Sequence, residues 1–165
     1  MTDFIIADLK IGAGMAGLCP MPSSPQARAG LRNWHPAIVI SMTPADELAA
    51  HGCADLPDWL GMHGIDWAAM PVADFGAPQA DAGWPELANR LHALLDSGGR
   101  VLVHCRGGCG RSGMILLRLM TERGEEGQAA LARLRAARPC AVETEGQMAW
   151  AVAGAMPAGM KRGRA

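Results

Sequence analysis

Residues Ser112 to Arg123 are apolar on nearly every side of a helical wheel: Met114, Ile115, Leu116, Leu117, Leu119 and Met120 leave no polar face. A helix of that kind must be covered all round by the rest of its domain. Just upstream, Val101-Leu102-Val103 forms an uninterrupted apolar run, as does Ala37-Ile38-Val39-Ile40. Runs of this kind belong to strands buried on both faces. Strands flanked by helical segments therefore predict an α/β fold, a central and mostly parallel sheet with helices on both sides. At 165 residues the chain suffices for one such domain.

The remaining segments fit that layout. Phe4 to Leu9 and Met15 to Cys19 suggest two early strands, and Ile65 to Val72 a weaker one. Gln26 to Asn33 is a short helix candidate. Thr43-Pro44 reads as N-cap and first helical residue of a helix reaching Ala50. Leu87, Leu91, Leu94 and Leu95 share one face of Pro85 to Asp96, which Gly98-Gly99 stops. Two further helices are expected over Ala129 to Arg138 and Thr144 to Val152. Residues 1–156 form the expected domain and 157–165 a basic tail, a solvated terminus.

Charge and targeting signals exclude several functions. Lys+Arg of 15 against Asp+Glu of 16 gives a net charge of -1, without the basic excess that nucleic acid or an acidic membrane requires. No apolar run approaches the roughly 20 residues of a membrane span, and no signal peptide opens the chain. Five scattered cysteines (Cys19, Cys53, Cys105, Cys109, Cys140) are not a disulfide framework, so a reducing cytoplasm is the expected location.

Chemistry concentrates between the Val101–Val103 strand and the buried helix, in His104-Cys105-Arg106-Gly107-Gly108-Cys109-Gly110-Arg111-Ser112-Gly113. Open α/β sheets place their ligands at such strand-to-helix turns. Gly107, Gly108 and Gly110 let backbone N–H groups converge on an oxyanion, and the helix N-terminus adds unpaired donors. Arg111 can meet two phosphate oxygens with its planar fork. A cysteine at the start of this loop sits in concentrated positive potential, which favours the nucleophilic thiolate. An inert buried thiol at Cys105 leaves the spacing of Arg111 and Ser112 unexplained. Zinc held by His104, Cys105 and Cys109 would need further ligands from scattered residues.

His104-Cys105, five residues, then Arg111-Ser112 resembles the signature of the protein tyrosine phosphatase superfamily. The surroundings are most similar to its dual-specificity branch, in particular the kinase-associated type, from about Leu31 to Val152. The resemblance implies a phosphocysteine on Cys105, an Arg111 clamp, oxyanion binding by residues Arg106 to Arg111, Ser112 donating to the departing thiolate, and His104 supporting the loop. No cofactor or metal is implied. Pro71-Val72-Ala73-Asp74-Phe75-Gly76-Ala77-Pro78 resembles the stretch that carries the general acid, which selects Asp74, with Asp81 and Asp66 in reserve. Ala141 to Gln147 resembles the segment whose glutamine orients the hydrolytic water, and Thr144 with Gln147 is equally a capping box. Cys109 departs from the usual loop; an oxidised pair with Cys105 is one expectation, with Cys53 and Cys140 as competing partners. With only Arg106 beside Arg111, and no Tyr in the chain, a phosphorylated protein bearing Ser, Thr or Tyr phosphate is the expected substrate. A phospho-binding pseudophosphatase and an arsenate reductase are the alternatives.

Overall fold

The computed structural model describes residues 3–79 and 83–154. The two early strands form a hairpin, β1 (Ala7–Ile11) antiparallel to β2 (Gly14–Cys19). Helix α1 (Pro25–Trp34) follows, capped by Ser24, whose side chain accepts from the Ala27 N–H. Then come β3 (Ile38–Ser41), α2 (Ala45–Ala50), α3 (Leu56–Met62) and β4 (Asp66–Ala69). The C-terminal half holds α4 (Trp84–Asp96), β5 (Arg100–His104), α5 (Gly110–Glu122), α6 (Gly127–Ala137) and α7 (Glu145–Val152).

The strands lie in the order β1-β2-β5-β3-β4, and every pairing except β1 with β2 is parallel. This is the mostly parallel sheet expected from the apolar runs. Alternate residues of each central strand serve opposite faces. Val101, Val103, Ile38 and Ile40 pack with Leu91 and Leu95 of α4 and with the apolar residues of α5. Leu102 and Val39 face the other way, onto Leu31, Leu48, Leu56 and Leu60 from α1, α2 and α3. Each fully buried Leu or Ile contributes about 1.5–3 kcal/mol relative to exposure. The buried α5 is enclosed between the sheet and the helices α6 and α7, which is why it is apolar on nearly every side.

Two local expectations are corrected. Pro44, not Thr43, is the N-cap of α2, and it supplies no side-chain hydrogen bond; the Thr43 hydroxyl is buried without a partner. Helix α3 was not expected, because Pro57 and Gly61 break its pattern; Pro57 falls in the first turn, where its missing N–H costs nothing. The basic tail lies outside the described residues. No helix among the described residues is long and apolar enough to cross a membrane.

Candidate active site

Strand β5 delivers His104 and Cys105 to the C-terminal edge of the sheet, between β2 and β3. The loop from Cys105 to Arg111 then curls into the N-terminus of α5. Every carbonyl from Cys105 to Cys109 has a donor: the His104 ring (3.1 Å), the Met21 N–H (3.1 Å), Arg138 Nη2 and Nε (2.9 and 3.1 Å), and the Gly113 N–H (2.8 Å). The loop's acceptors are thus spent on its own scaffold. Apart from that of Gly110, which donates to Glu143 Oε1 at 2.9 Å, its N–H groups are left for a ligand, the arrangement of an anion nest. Gly108 is needed for this course: its φ is 72°, and a Cβ would strike the backbone of Cys19 and Pro20.

His104 is fully buried and joins two strands. Its Nδ1 faces the Cys105 carbonyl, which can only accept, so Nδ1 carries the proton. Its Nε2 therefore accepts from the Ser41 hydroxyl at 2.6 Å, and that oxygen in turn accepts from Trp67 Nε1 at 2.9 Å. Burial drives the His104 pKa down to about 4, and the nearby Arg111 cation adds to this. The ring is neutral at ordinary pH, and both nitrogens are committed. It cannot serve as a zinc ligand.

Cys105 is buried, and its Sγ lies 3.3 Å from the Ser112 hydroxyl. Arg111 is nearly inaccessible. Its Nη1 donates to Glu47 Oε1 (3.0 Å) and the Val72 carbonyl (2.9 Å), and its Nη2 to Glu47 Oε2 (2.8 Å). Nη2 also stands 3.4 Å from Asp74 Oδ1. The Arg111 hydrogen bonds hold the Glu47 carboxyl below the usual carboxylate range. One donor is left over: Arg111 Nε is buried without a partner. A buried unmet N–H is costly, and an oxyanion in the loop would satisfy it.

Asp74 sits on the loop after β4, partly exposed, with Oδ1 accepting from the Phe75 N–H. Phe75 has φ of 62° and an exposed ring. The Asp74 segment is moored to α7, since Thr144 Oγ1 donates to the Phe75 carbonyl (3.4 Å) and Gln147 Nε2 to that of Gly76 (3.2 Å). Of the reserve acids, Asp66 is paired with Arg90 at 2.7 Å on β4, and Asp81 lies outside the described residues. Arg106 is exposed at the loop mouth.

Gln147 is brought to the site with its side-chain oxygen fully engaged. It completes the capping box with Thr144, and its Oε1 accepts from the Glu143 and Thr144 N–H groups. The thiol expectations need correction. Cys109 is joined to Cys140, not to Cys105 or Cys53, so the described residues hold a disulfide where free thiols were expected. Thirty-one residues separate the pair, and Arg138, two residues before Cys140, reaches the same loop. Sequence reasoning also missed Glu47, Ser41, Trp67 and Arg138. A cavity of about 470 Å³ bounded by Arg28, Arg32, Trp59 and His63 lies on α1 and α3, and no residue of the Cys105–Arg111 loop lines it.

Residues 49–153 match the dual specificity phosphatase catalytic domain. The chain belongs to that family. It is a phosphatase of the dual-specificity and tyrosine type. Among solved structures it is similar to kinase associated phosphatase carrying serine in place of its catalytic-site cysteine, with a TM-score of 0.81 and 21% identity over 94% of this chain and 99% of that one. The active form of Tk-PTP matches at 27% identity and a TM-score of 0.65, covering 81% of this chain and 86% of that one. P. aeruginosa TpbA in complex with pTyr matches at 23% identity and a TM-score of 0.59, covering 91% and 85%. No curated protein sequence matches the chain significantly. The similar structures are of the protein tyrosine phosphatase type rather than arsenate reductases.

Proposed function

We propose that this phosphatase hydrolyses phosphomonoesters of phosphorylated proteins, at Ser, Thr or Tyr, through a phosphocysteine on Cys105. The observation that carries the reading is the unmet Nε–H of Arg111, buried beside a loop whose carbonyls are all taken. Such a set of donors has one chemical use, a multiply charged oxyanion. The N–H groups of Arg106 to Cys109 and the Arg111 fork hold the phosphoryl oxygens, and Arg106 at the rim meets acidic groups around them; the Gly110 N–H is engaged by Glu143. The Cys105 thiolate attacks phosphorus, and Asp74 gives its proton to the departing oxygen. In the second step water displaces the thiolate, which the Ser112 hydroxyl receives with a hydrogen bond.

A protein substrate is favoured because Asp74 and Phe75 are exposed beside Arg111 and leave room for a large group. TpbA bound to pTyr presents the same fold with that amino acid. The deciding test is Cys105→Ser. Hydrolysis of an aryl phosphate should vanish while tungstate binding persists within a few-fold. Residual turnover within tenfold of the parent would remove Cys105 as nucleophile.

A further inference from the structure

Two arginines stand one turn apart on α1, and only one of them is paired. Arg28 donates to both oxygens of Asp55 (2.7 and 2.8 Å) and to the Pro22 carbonyl (3.2 Å), and its guanidinium lies over the Trp59 ring at 5.2 Å. Arg32 is exposed and has no carboxylate partner among the described residues. Both line the cavity of about 470 Å³ between α1 and α3, where Asp55 is the one lining carboxylate. A second cavity of about 390 Å³ adjoins it, sharing Arg32 and His63 and reaching His35 and Pro36. The two form a single groove in which Arg32 is the uncompensated charge. The half-buried Trp59 adds an indole N–H that meets no acceptor among the described residues. That wall is held in place: the His63 ring stacks on Trp59 at 4.6 Å, and its Nδ1 faces the Trp59 carbonyl at 2.8 Å. A free guanidinium beside a free N–H donor suits a carboxylate.

The groove begins at the sheet edge that carries Cys105. Cys19, the last residue of β2, pairs with His104, and α1 starts a few residues later. The Met21 N–H holds the Arg106 carbonyl, while Ser23 and Ser24 already line the groove. The step from Met21 to Ser23 spans at most about 7 Å. The far end lies at the opposite edge, where His35 and Pro36 lead into β3. Arg32 sits about 12 Å along the helix from Ser24. An extended chain leaving the phosphate loop over Ser23 therefore reaches Arg32 after about six to eight residues.

We propose that the α1–α3 groove is a docking site for an acidic segment of the phosphoprotein substrate, with Arg32 and the Trp59 N–H receiving an Asp or Glu carboxylate. This rests on the proposed function and adds a determinant outside the catalytic loop. The loop reads a phosphate that every phosphoprotein shares; a contact this far away distinguishes one protein from another. Nucleic acid and anionic bilayers are poorer matches, since their binding draws on several cations and the groove has a single uncompensated one.

Phosphopeptides carrying a Glu pair, moved stepwise away from the phosphorylated residue on either side of an otherwise neutral sequence, test the groove. The reference is an aryl phosphate, too small to reach it. On one side, kcat/KM should peak about three- to fivefold above the neutral peptide at the spacing given above, as one exposed ion pair provides. The gain should come through KM rather than kcat and should fade in about 0.5 M salt. Arg32→Glu should abolish the peak and transfer it to a Lys pair at the same place, an exchange that damaged folding cannot produce. A profile that is flat with position, or unchanged in Arg32→Glu, overturns the docking site alone. It is overturned equally if Arg32→Glu weakens binding of a DNA oligonucleotide or of phosphatidylserine vesicles more than that of the acidic peptide. A parent that turns over the aryl phosphate and no phosphopeptide overturns the phosphoprotein reading itself.

Discussion

Arg111 and Glu47 meet in a two-point ion pair, with Nη1 3.0 Å from Oε1 and Nη2 2.8 Å from Oε2, across 64 residues of sequence. The pair sets the plane of the guanidinium and so the direction of the unpartnered Nε. Replacing Glu47 by Ala should lower kcat/KM for an aryl phosphate by roughly 10–100-fold, since a misaligned fork loses one of its two contacts. It should also lower stability by about 3 kcal/mol, because the buried Arg111 is left with only the more distant Asp74 as counter-charge. Arg111→Lys should be worse for catalysis, as a point charge cannot reproduce the fork. A Glu47→Ala protein with normal vanadate affinity would show that Glu47 does not orient the clamp.

Removal of the proposed acid should hurt in proportion to how badly the leaving group needs a proton. Asp74→Asn should slow phosphoserine peptides by ~10²–10⁴-fold and aryl esters of acidic phenols far less. Asp66→Asn, whose parent carboxylate is paired with Arg90, serves as the control and should show no such dependence. Equal losses on both substrate types would take the proton-donor role away from Asp74.

Reduction of the Cys109–Cys140 bridge should be felt in the phosphate loop. For a closed loop of 31 residues, chain-entropy arguments assign about 3–4 kcal/mol to the bridge. That corresponds to a fall in Tm on the order of 10 °C for a chain of this size. Cys140→Ser and a dithiol-treated parent should behave alike, with weaker tungstate binding, while Arg138 still holds the Gly107 and Gly108 carbonyls. Unchanged melting and binding after verified reduction would mean that the hydrogen bonds alone shape the loop.

Acid should destabilise the fold in two stages. Burial keeps His104 neutral with a pKa of about 4, below its usual 6.5. The folded state therefore resists a proton that the unfolded chain accepts, so this contribution is complete above pH 6.5 and is lost as pH falls toward 4. For Glu122, burial pushes the pKa up, but hydrogen bonds from His92, Arg118 and Trp84 outweigh it and hold the carboxyl at about 2. Its contribution is full above about pH 4.5 and is lost as pH falls toward 2. Melting temperatures across pH should show both stages in the parent, and Glu122→Gln should lack the lower one. A Glu122→Gln profile parallel to the parent below pH 4.5 contradicts this.

The strand, loop and helix around Cys105 were readable because their determinants are adjacent in the chain: the apolar run, the glycines and the all-apolar α5. The stretch that sets Asp74 beside Arg111 is likewise local. What supports them was not. Glu47 reaches Arg111, Trp67 reaches Ser41, and Arg138 reaches Gly107 only once the sheet has brought distant segments together. No periodicity encodes such meetings. The ambiguity at Gln147 had a physical root as well, since a capping glutamine and a water-orienting one have the same sequence appearance; the structure shows the cap, with the side-chain oxygen committed to it.

Thr144 and Gln147 hold the carbonyls of Phe75 and Gly76. The Asp74 segment is thus tied to α7 by hydrogen bonds of its own, independent of anything the loop binds. Where such a segment stays docked through a cycle, little binding energy goes into closing a lid, and turnover is set by bond making and breaking at phosphorus rather than by segmental motion. Thickening the solvent with sucrose should accordingly leave kcat for slow alkyl esters where it was.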